Sequence, residues 1–312
     1  MEEDPDLIAT LIPVDESYYA ESAFSLPDNE KRWIPPTQGR DEGPAISSRE
    51  PTPARSLPQD GSEDHSKKHC LRLTFKQEPK DPAKGYAFGT DQQKCDVLLG
   101  ARGVRDTSSV HFHITFDVIR GEKRLVLRDS STNGSAVSYD GQAEHEVRHH
   151  FTWILNLDKP KSQNGDEQEW KVQVHVRRLK FKFNLASHRT CEAKYNEKVD
   201  EFLKLSQTTG PPLGGLSIES HITEVAPSQS RTPGQRPIYI RAGLLGEGSF
   251  GRVKRVIDVS TGAIYARKTF HQPPSAKDHQ RQRWLNQIRR EIRIMREHPH
   301  LSITYPNGRH RR

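Results

Sequence analysis

Apolar residues are distributed along this chain in three different textures. Between Cys70 and Leu185 they come in short runs broken by Gly, Asn, Asp and Ser. Leu71-Arg72-Leu73-Thr74-Phe75 alternates with a period of two, the pattern of a strand that buries one face. Similar runs at 86–88, 95–99, 111–116, 124–127, 136–139, 151–157, 170–176 and 179–185 predict further strands. Many short strands with no helical period between them predict an antiparallel β-sandwich. A helical period follows: Tyr195, Val199, Phe202 and Leu203 line one face of a helix over 190–205 that packs on the sandwich. A second and stronger one spans 277–298, with Trp284, Leu285, Ile288, Ile292 and Met295 on a single face.

The remaining stretches are polar. Residues 1–68 mix Pro, Ser, Asp and Glu, and the one apolar cluster, Leu7 to Ile12, reads as a greasy patch in a tail or a short docking peptide. A Gly/Pro/Ser/Thr-rich linker follows the first helix. The expected organisation is a disordered tail over 1–68, a β domain over 69–186, a short helix and flexible linker over 187–235, a second β-rich unit over 236–300 and a basic tail over 301–312. With 32% hydrophobic residues in 312, the chain is too polar for one continuous core, which agrees with long linkers.

Net charge is +7, concentrated toward the C-terminus in Arg281, Arg283, Arg289, Arg290, Arg293, Arg296 and the closing Arg309-His310-Arg311-Arg312. No zinc-finger, homeodomain or aromatic RNA-binding pattern accompanies it, so a solvated helix face is the favoured reading over a nucleic-acid partner. Three cysteines without metal-ligand spacing argue against a disulfide scaffold or a metal centre. The acidic start Met1-Glu2-Glu3-Asp4 and the lack of a long apolar run predict neither signal peptide nor membrane span, and a nuclear or cytoplasmic location.

Three ordered blocks carry candidate binding chemistry: Phe88-Gly89-Thr90 leading to Cys95-Asp96-Val97-Leu98-Leu99, then Ser108-Ser109-Val110-His111, then Asp129-Ser130-Ser131-Thr132-Asn133-Gly134-Ser135. A phosphate ester brings about two negative charges and three acceptor oxygens, so its reader needs hydroxyl, amide and cationic donors on rigid loops. Ser108 and Ser109 offer hydroxyls and N–H groups, and the Asn133 amide suits an extended peptide backbone. Taken alone, the last block is an ordinary turn. In this order and strand context the three resemble a forkhead-associated (FHA) domain. The resemblance implies a phosphothreonine-peptide site in which Ser108 contacts the phosphate, Ser109 lies beside it, Thr132, Asn133 and Gly134 hold the peptide, and His111 braces the loop. FHA domains place an arginine after the first glycine. Here that position is Thr90, and Arg105, three residues before Ser108, is the expected substitute, with Arg102 as the other candidate.

A second set of spacings lies near the C-terminus. Gly246-Glu247-Gly248-Ser249-Phe250-Gly251-Arg252-Val253 fits G-x-G-x-x-G-x-V, and the segments after it read as a β-hairpin, whereas a dinucleotide fold would continue into a helix. Lys268 follows Val253 by 15 residues and Glu291 follows Lys268 by 23, on the flank of the strong helix. This resembles the start of a Ser/Thr protein kinase domain. ATP is the implied nucleotide, with Gly246, Gly248, Gly251, Val253 and Lys268 around it and Glu291 pairing with Lys268. No H-R-D, D-F-G or A-P-E segment follows His300 in this sequence, so no catalytic residue and no Mg²⁺ ligand can be named, and the expectation is a chain inactive by itself.

The fold class expected is therefore mainly β: an FHA sandwich, then a partial kinase N-lobe of hairpin plus αC-like helix. The expected partners are phosphothreonine-containing proteins. Two alternatives stay open, a fragment of a full-length kinase and a non-catalytic competitor for its partners. The pairing of modules resembles fungal-type checkpoint kinases of the DNA-damage response, and Thr37-Gln38, Ser206-Gln207 and Ser228-Gln229 are compatible with upstream phosphorylation.

Overall fold

The structure, a computed structural model, describes residues 3–14, 18–34, 70–101, 106–160, 169–208, 236–248, 251–271 and 278–297. Two facing β-sheets form the main body of the fold. The first has six strands, in the order β2 (Trp33–Ile34), β3 (Cys70–Thr74), β1 (Leu7–Pro13), β11 (Leu179–Leu185), β10 (Val172–Val176) and β8 (Ala136–Tyr139). The second has five: β5 (Val97–Leu98), β4 (Tyr86–Gly89), β6 (Val110–Ile119), β7 (Glu122–Asp129) and β9 (Thr152–Ile154). All pairings are antiparallel except β4 with β5. Between the sheets lies a core that includes Leu11, Leu73, Phe88, Phe112, Leu127, Tyr139, Trp153, Val174 and Phe181.

The boundary expected at residue 69 is corrected by β1. Leu7 to Ile12 is no tail patch: it lies in the strand between β3 and β11, with Leu11 opposite both Leu71 and Phe183. Ile8, Ala9, Leu11 and Ile12 are buried. A lone apolar cluster in polar sequence carries no local sign of its partners, which here lie 60 and more residues away. Helix α1 (Tyr18–Phe24) and a 3-10 helix (Pro27–Arg32) then cross to the second sheet. Phe24 packs on Phe181 at 5.5 Å. The buried Asn29 amide donates to the Ala23 and Leu98 carbonyls and accepts the Leu98 N–H, each at 2.9 Å, so every polar atom of this inserted side chain is occupied. Residues 35–69, the rest of the expected tail, lie outside the described residues.

Helix α2 (Glu192–Thr208) packs as its periodicity predicts. Phe202 lies 5.6–6.1 Å from Phe75, Tyr86 and Phe116, closing the open end of the core. The expected linker over 209–235 lies outside the described residues.

A three-stranded sheet of β12 (Tyr239–Gly248), β13 (Gly251–Asp258) and β14 (Ile264–Phe270) follows, then α3 (Asp278–Glu297). This unit is not free of the sandwich. Ile238, Ile240, Ile257 and Val259 join the sandwich core, and the Ile154 N–H donates to the Val259 carbonyl at 2.9 Å. The Gln142 side chain completes the seam: its Oε1 accepts the Arg241 N–H at 2.8 Å and its Nε2 donates to the Arg241 carbonyl at 3.1 Å. The far side of the unit is open, with Leu244, Leu245, Ile264 and Ile294 about half exposed.

Candidate functional site

At one end of the sandwich, the turn before β6 meets the turn between β7 and β8. His111, buried at the start of β6, joins them. Its Nδ1 accepts the Ser108 N–H at 3.1 Å. An imidazole that accepts there carries its proton on Nε2, which lies 3.3 Å from the Gly134 carbonyl and donates to it. Burial pushes the His111 pKa down, partly offset by Asp129, so the ring is held neutral and both bonds keep their direction. The Ser108 hydroxyl accepts the Thr132 N–H at 3.3 Å and lies 3.4 Å from the Thr132 hydroxyl. Ser108, Thr132 and the exposed Ser109 thus stand together on one rim.

A carboxylate shapes the second turn from beneath. Asp129, at the end of β7, accepts the Ser131 N–H and hydroxyl, the His150 N–H at 3.1 Å and the Ser135 hydroxyl at 2.5 Å. Ser131 in turn accepts the Gly134 N–H at 2.7 Å. Asp and Ser two residues apart form such Asx-type turns from local sequence alone. Gly134 has φ of +77°, and a Cβ there would meet Val147 at 2.7 Å and the Arg148 carbonyl at 2.9 Å. Only glycine meets both demands. Asn133, beside it, is half-exposed and makes no side-chain hydrogen bond among the described residues, leaving its amide for a ligand.

The strand before β5 supplies the third wall. A Cβ at Gly89 would lie 2.2 Å from the Ser109 carbonyl, so the two turns touch backbone to backbone. Thr90 is buried; its N–H donates to the Ser108 and Ser109 carbonyls at 3.2 and 3.0 Å. It supports the Ser108 turn from within and presents no cation to the rim. Arg102 and Arg105 lie outside the described residues. Nearby Cys95 donates its thiol to the Ser109 carbonyl at 3.0 Å, and burial pushes its pKa up to about 11, which leaves it an inert structural thiol.

The second residue set lies on the β12–β14 unit. Gly246 and Gly248 pair with Val253 and Gly251 at the end of the first hairpin, and Val253 pairs with Lys268 on β14. A Cβ at Gly251 would meet the Thr269 carbonyl at 2.3 Å, whereas Gly246 and Gly248 face open space. Packing therefore explains one glycine and leaves the other two free for a ligand's approach. The Lys268 Nζ is bonded to Glu291 of α3, and both are about one-third exposed. Lys268 also lies 5.0 Å from the Phe270 ring. Trp284 anchors α3 by donating its indole N–H to the His271 carbonyl at 2.8 Å, while Leu285, Ile288 and Ile292 remain half-buried. Ser249, Phe250 and the chain after Glu297 lie outside the described residues. No cluster of candidate metal ligands occurs among those described, nor any helix long and apolar enough to cross a membrane.

The sequence pattern alone passed over Asp129 as a loop organiser and Gln142 as the seam between units. The first is findable from its Asx-turn spacing to Ser131. The second has no local signal, because its partner is Arg241.

No protein-family model matches the chain. Among solved structures, it is similar to a crystal structure of the MEK1 FHA domain in complex with a phosphothreonine peptide of HOP1, with a TM-score of 0.23 and 14% identity over 38% of this chain and 89% of that one.

Proposed function

We propose that the sandwich is an FHA-type reader of phosphothreonine peptides and that the β12–β14 unit with α3 is the opening part of a Ser/Thr protein kinase N-lobe. The observation that carries the first half is the neutral His111 bridge. It holds the Ser108 hydroxyl, Ser109 and Thr132 beside the unpartnered Asn133 amide, giving donors for phosphate oxygens next to a clamp for peptide backbone. Arg105, by its place before Ser108, is the proposed cation. The ligands are phosphothreonine-containing proteins, and a nuclear or cytoplasmic site of action goes with such signalling. Titration of this chain with matched phosphothreonine, phosphoserine and unmodified peptides tests the reading. Phosphothreonine-selective binding lost in Ser108→Ala and Asn133→Ala is expected; binding indifferent to phosphorylation refutes it.

The Lys268–Glu291 pair supports the kinase half, since two residues 23 apart in sequence meet across a strand and a helix as an ATP site requires. In that reading Lys268 holds the nucleotide's α- and β-phosphates, the backbone at Gly246, Gly248 and Gly251 with Val253 covers it, and ATP supplies the transferable phosphoryl group. The chain then serves as part of a larger ATP-dependent kinase or as a regulator that competes for its partners. Thermal-shift titration with Mg-ATP distinguishes an intact nucleotide site from a non-binding lobe, with Lys268→Met as the control.

A further inference from the structure

Helix α3 presents two contrasting sides. Trp284, Leu285, Ile288 and Ile292 are half-buried on one of them, where Trp284 is bonded to the His271 carbonyl and Glu291 to Lys268. At 3.6 residues per turn, Arg283, Arg289, Arg290 and Arg293 fall on the opposite side within an arc of about 120°. All four are exposed, and none makes an ion pair among the described residues. Gln282 and Asn286 lie between them, with Arg289 Nη1 donating to Asn286 Oδ1 at 3.4 Å. The carboxylates of the helix flank this stretch or face away: Asp278 and Glu297 stand at its two ends, and Glu291 is bonded to Lys268. Arg293 is one turn from both Arg289 and Arg290, so like charges are neighbours with no acid between them. A helix face that only meets water alternates its signs. This one repels itself until an anion joins it.

We infer that this face of α3 binds the phosphate backbone of a nucleic-acid duplex without reading its sequence. The inference stands apart from the phosphopeptide and ATP readings above, since none of these four side chains takes part in either. A planar guanidinium donates two hydrogen bonds at once to a phosphate, and a row of cations releases the counterions condensed on a nucleic acid. The arc holds no Phe, Tyr or Trp on which an unpaired base would stack, so a duplex is favoured over a single strand. Nor does it hold an apolar anchor of the kind that centres a protein interface. A membrane surface fits less well, because an interfacial helix buries its apolar stripe in lipid, and the α3 stripe is the side joined to the hairpin. The net charge of +7 adds a long-range attraction of the same sign. Four arginines make about four phosphate contacts.

The test is fluorescence anisotropy of this chain with a labelled DNA duplex. Affinity is expected to fall about a hundredfold between about 50 and 200 mM salt, as four phosphate contacts require, and to be the same for a second duplex of different sequence. Two double variants, Arg283→Gln with Arg290→Gln and Arg289→Gln with Arg293→Gln, test the face independently. Each is expected to weaken binding by about tenfold or more and to flatten the salt dependence. Their melting temperatures are expected to hold or rise, because repulsion is removed. A third variant, Arg72→Gln with Lys171→Gln, removes the same charge from exposed positions of the sandwich and is expected to keep affinity within about twofold. Equal loss in this control and in the α3 pairs reduces the binding to overall charge and overturns the site. Absence of duplex binding at the lower salt, tighter binding to single strands, or a lowered melting temperature in both α3 pairs overturns it as well. Tighter α3-dependent binding to polyglutamate assigns the face to an acidic protein, and tighter binding to phosphatidylserine vesicles assigns it to a membrane; either result overturns the nucleic-acid reading.

Discussion

His111 and Gly134 are joined by a hydrogen bond of 3.3 Å from a buried, neutral imidazole to a carbonyl at a turn only glycine can make. Their pairing sets the separation of the two loops that bear Ser108 and Asn133. The spacing of these loops thus depends on a buried side chain and a turn glycine, and not only on the rim residues Ser108 and Asn133.

Gly134→Ala tests that dependence. The positive φ and the contacts with Val147 and the Arg148 carbonyl make a Cβ strained, at a cost of about 1–3 kcal/mol. Urea unfolding is expected to show that loss, and peptide affinity is expected to fall further than stability, because the strain is relieved by moving Asn133.

Low pH weakens the sandwich through its buried histidines. His175 donates to or accepts from the Ser138 hydroxyl at 3.0 Å, and burial lowers its pKa to about 4; His111 is also lowered. Both pKa values lie below that of an unfolded histidine, about 6.5. The unfolded chain therefore binds more protons below that pH, and stability present above pH 6.5 drains away as pH falls toward 4. Thermal melts at pH 7, 6 and 5 are expected to step downward, with a shallower slope in His175→Gln.

Truncation to residue 69 is expected to unfold the sandwich rather than trim a tail. Leu11 is buried between two strands, and Leu11→Ala costs about 2–5 kcal/mol by the usual scale for core truncation. Circular dichroism of a chain beginning at residue 69, compared with the full chain, checks this directly.

The seam between sandwich and hairpin makes a separate claim. Ile154→Ala removes a fully buried side chain at the joint, and about 2–5 kcal/mol of stability with it. Hydrogen exchange at Ile154, whose N–H bonds Val259, is expected to rise before exchange in β6. By contrast Lys268→Met, which breaks an ion pair one-third exposed, is expected to change stability by less than about 1 kcal/mol.

Much of this was legible in the residues. The period-two runs predicted β3, β8, β10 and β11 nearly to their ends, and the apolar stripe of 277–298 predicted α3. Strand and helix periods are local properties, set by which faces of a segment meet water. The turn chemistry of Asp129 to Gly134 and the spacing from Val253 to Lys268 to Glu291 are likewise written in short segments of chain.

What tertiary structure alone decided is which distant segments complete those local ones. Leu7–Pro13 becomes a central strand because β3 and β11 offer it two open ladders and a shared core. Thr90 proves to be buried, its N–H bonded to the Ser108 and Ser109 carbonyls, so its part is to support the neighbouring turn from within. The β12–β14 unit, which read as a separate piece, shares Ile238 and Val259 with the sandwich. Hydrogen-bond ladders and burial are satisfied between partners far apart in sequence, and no periodicity within either partner records the other.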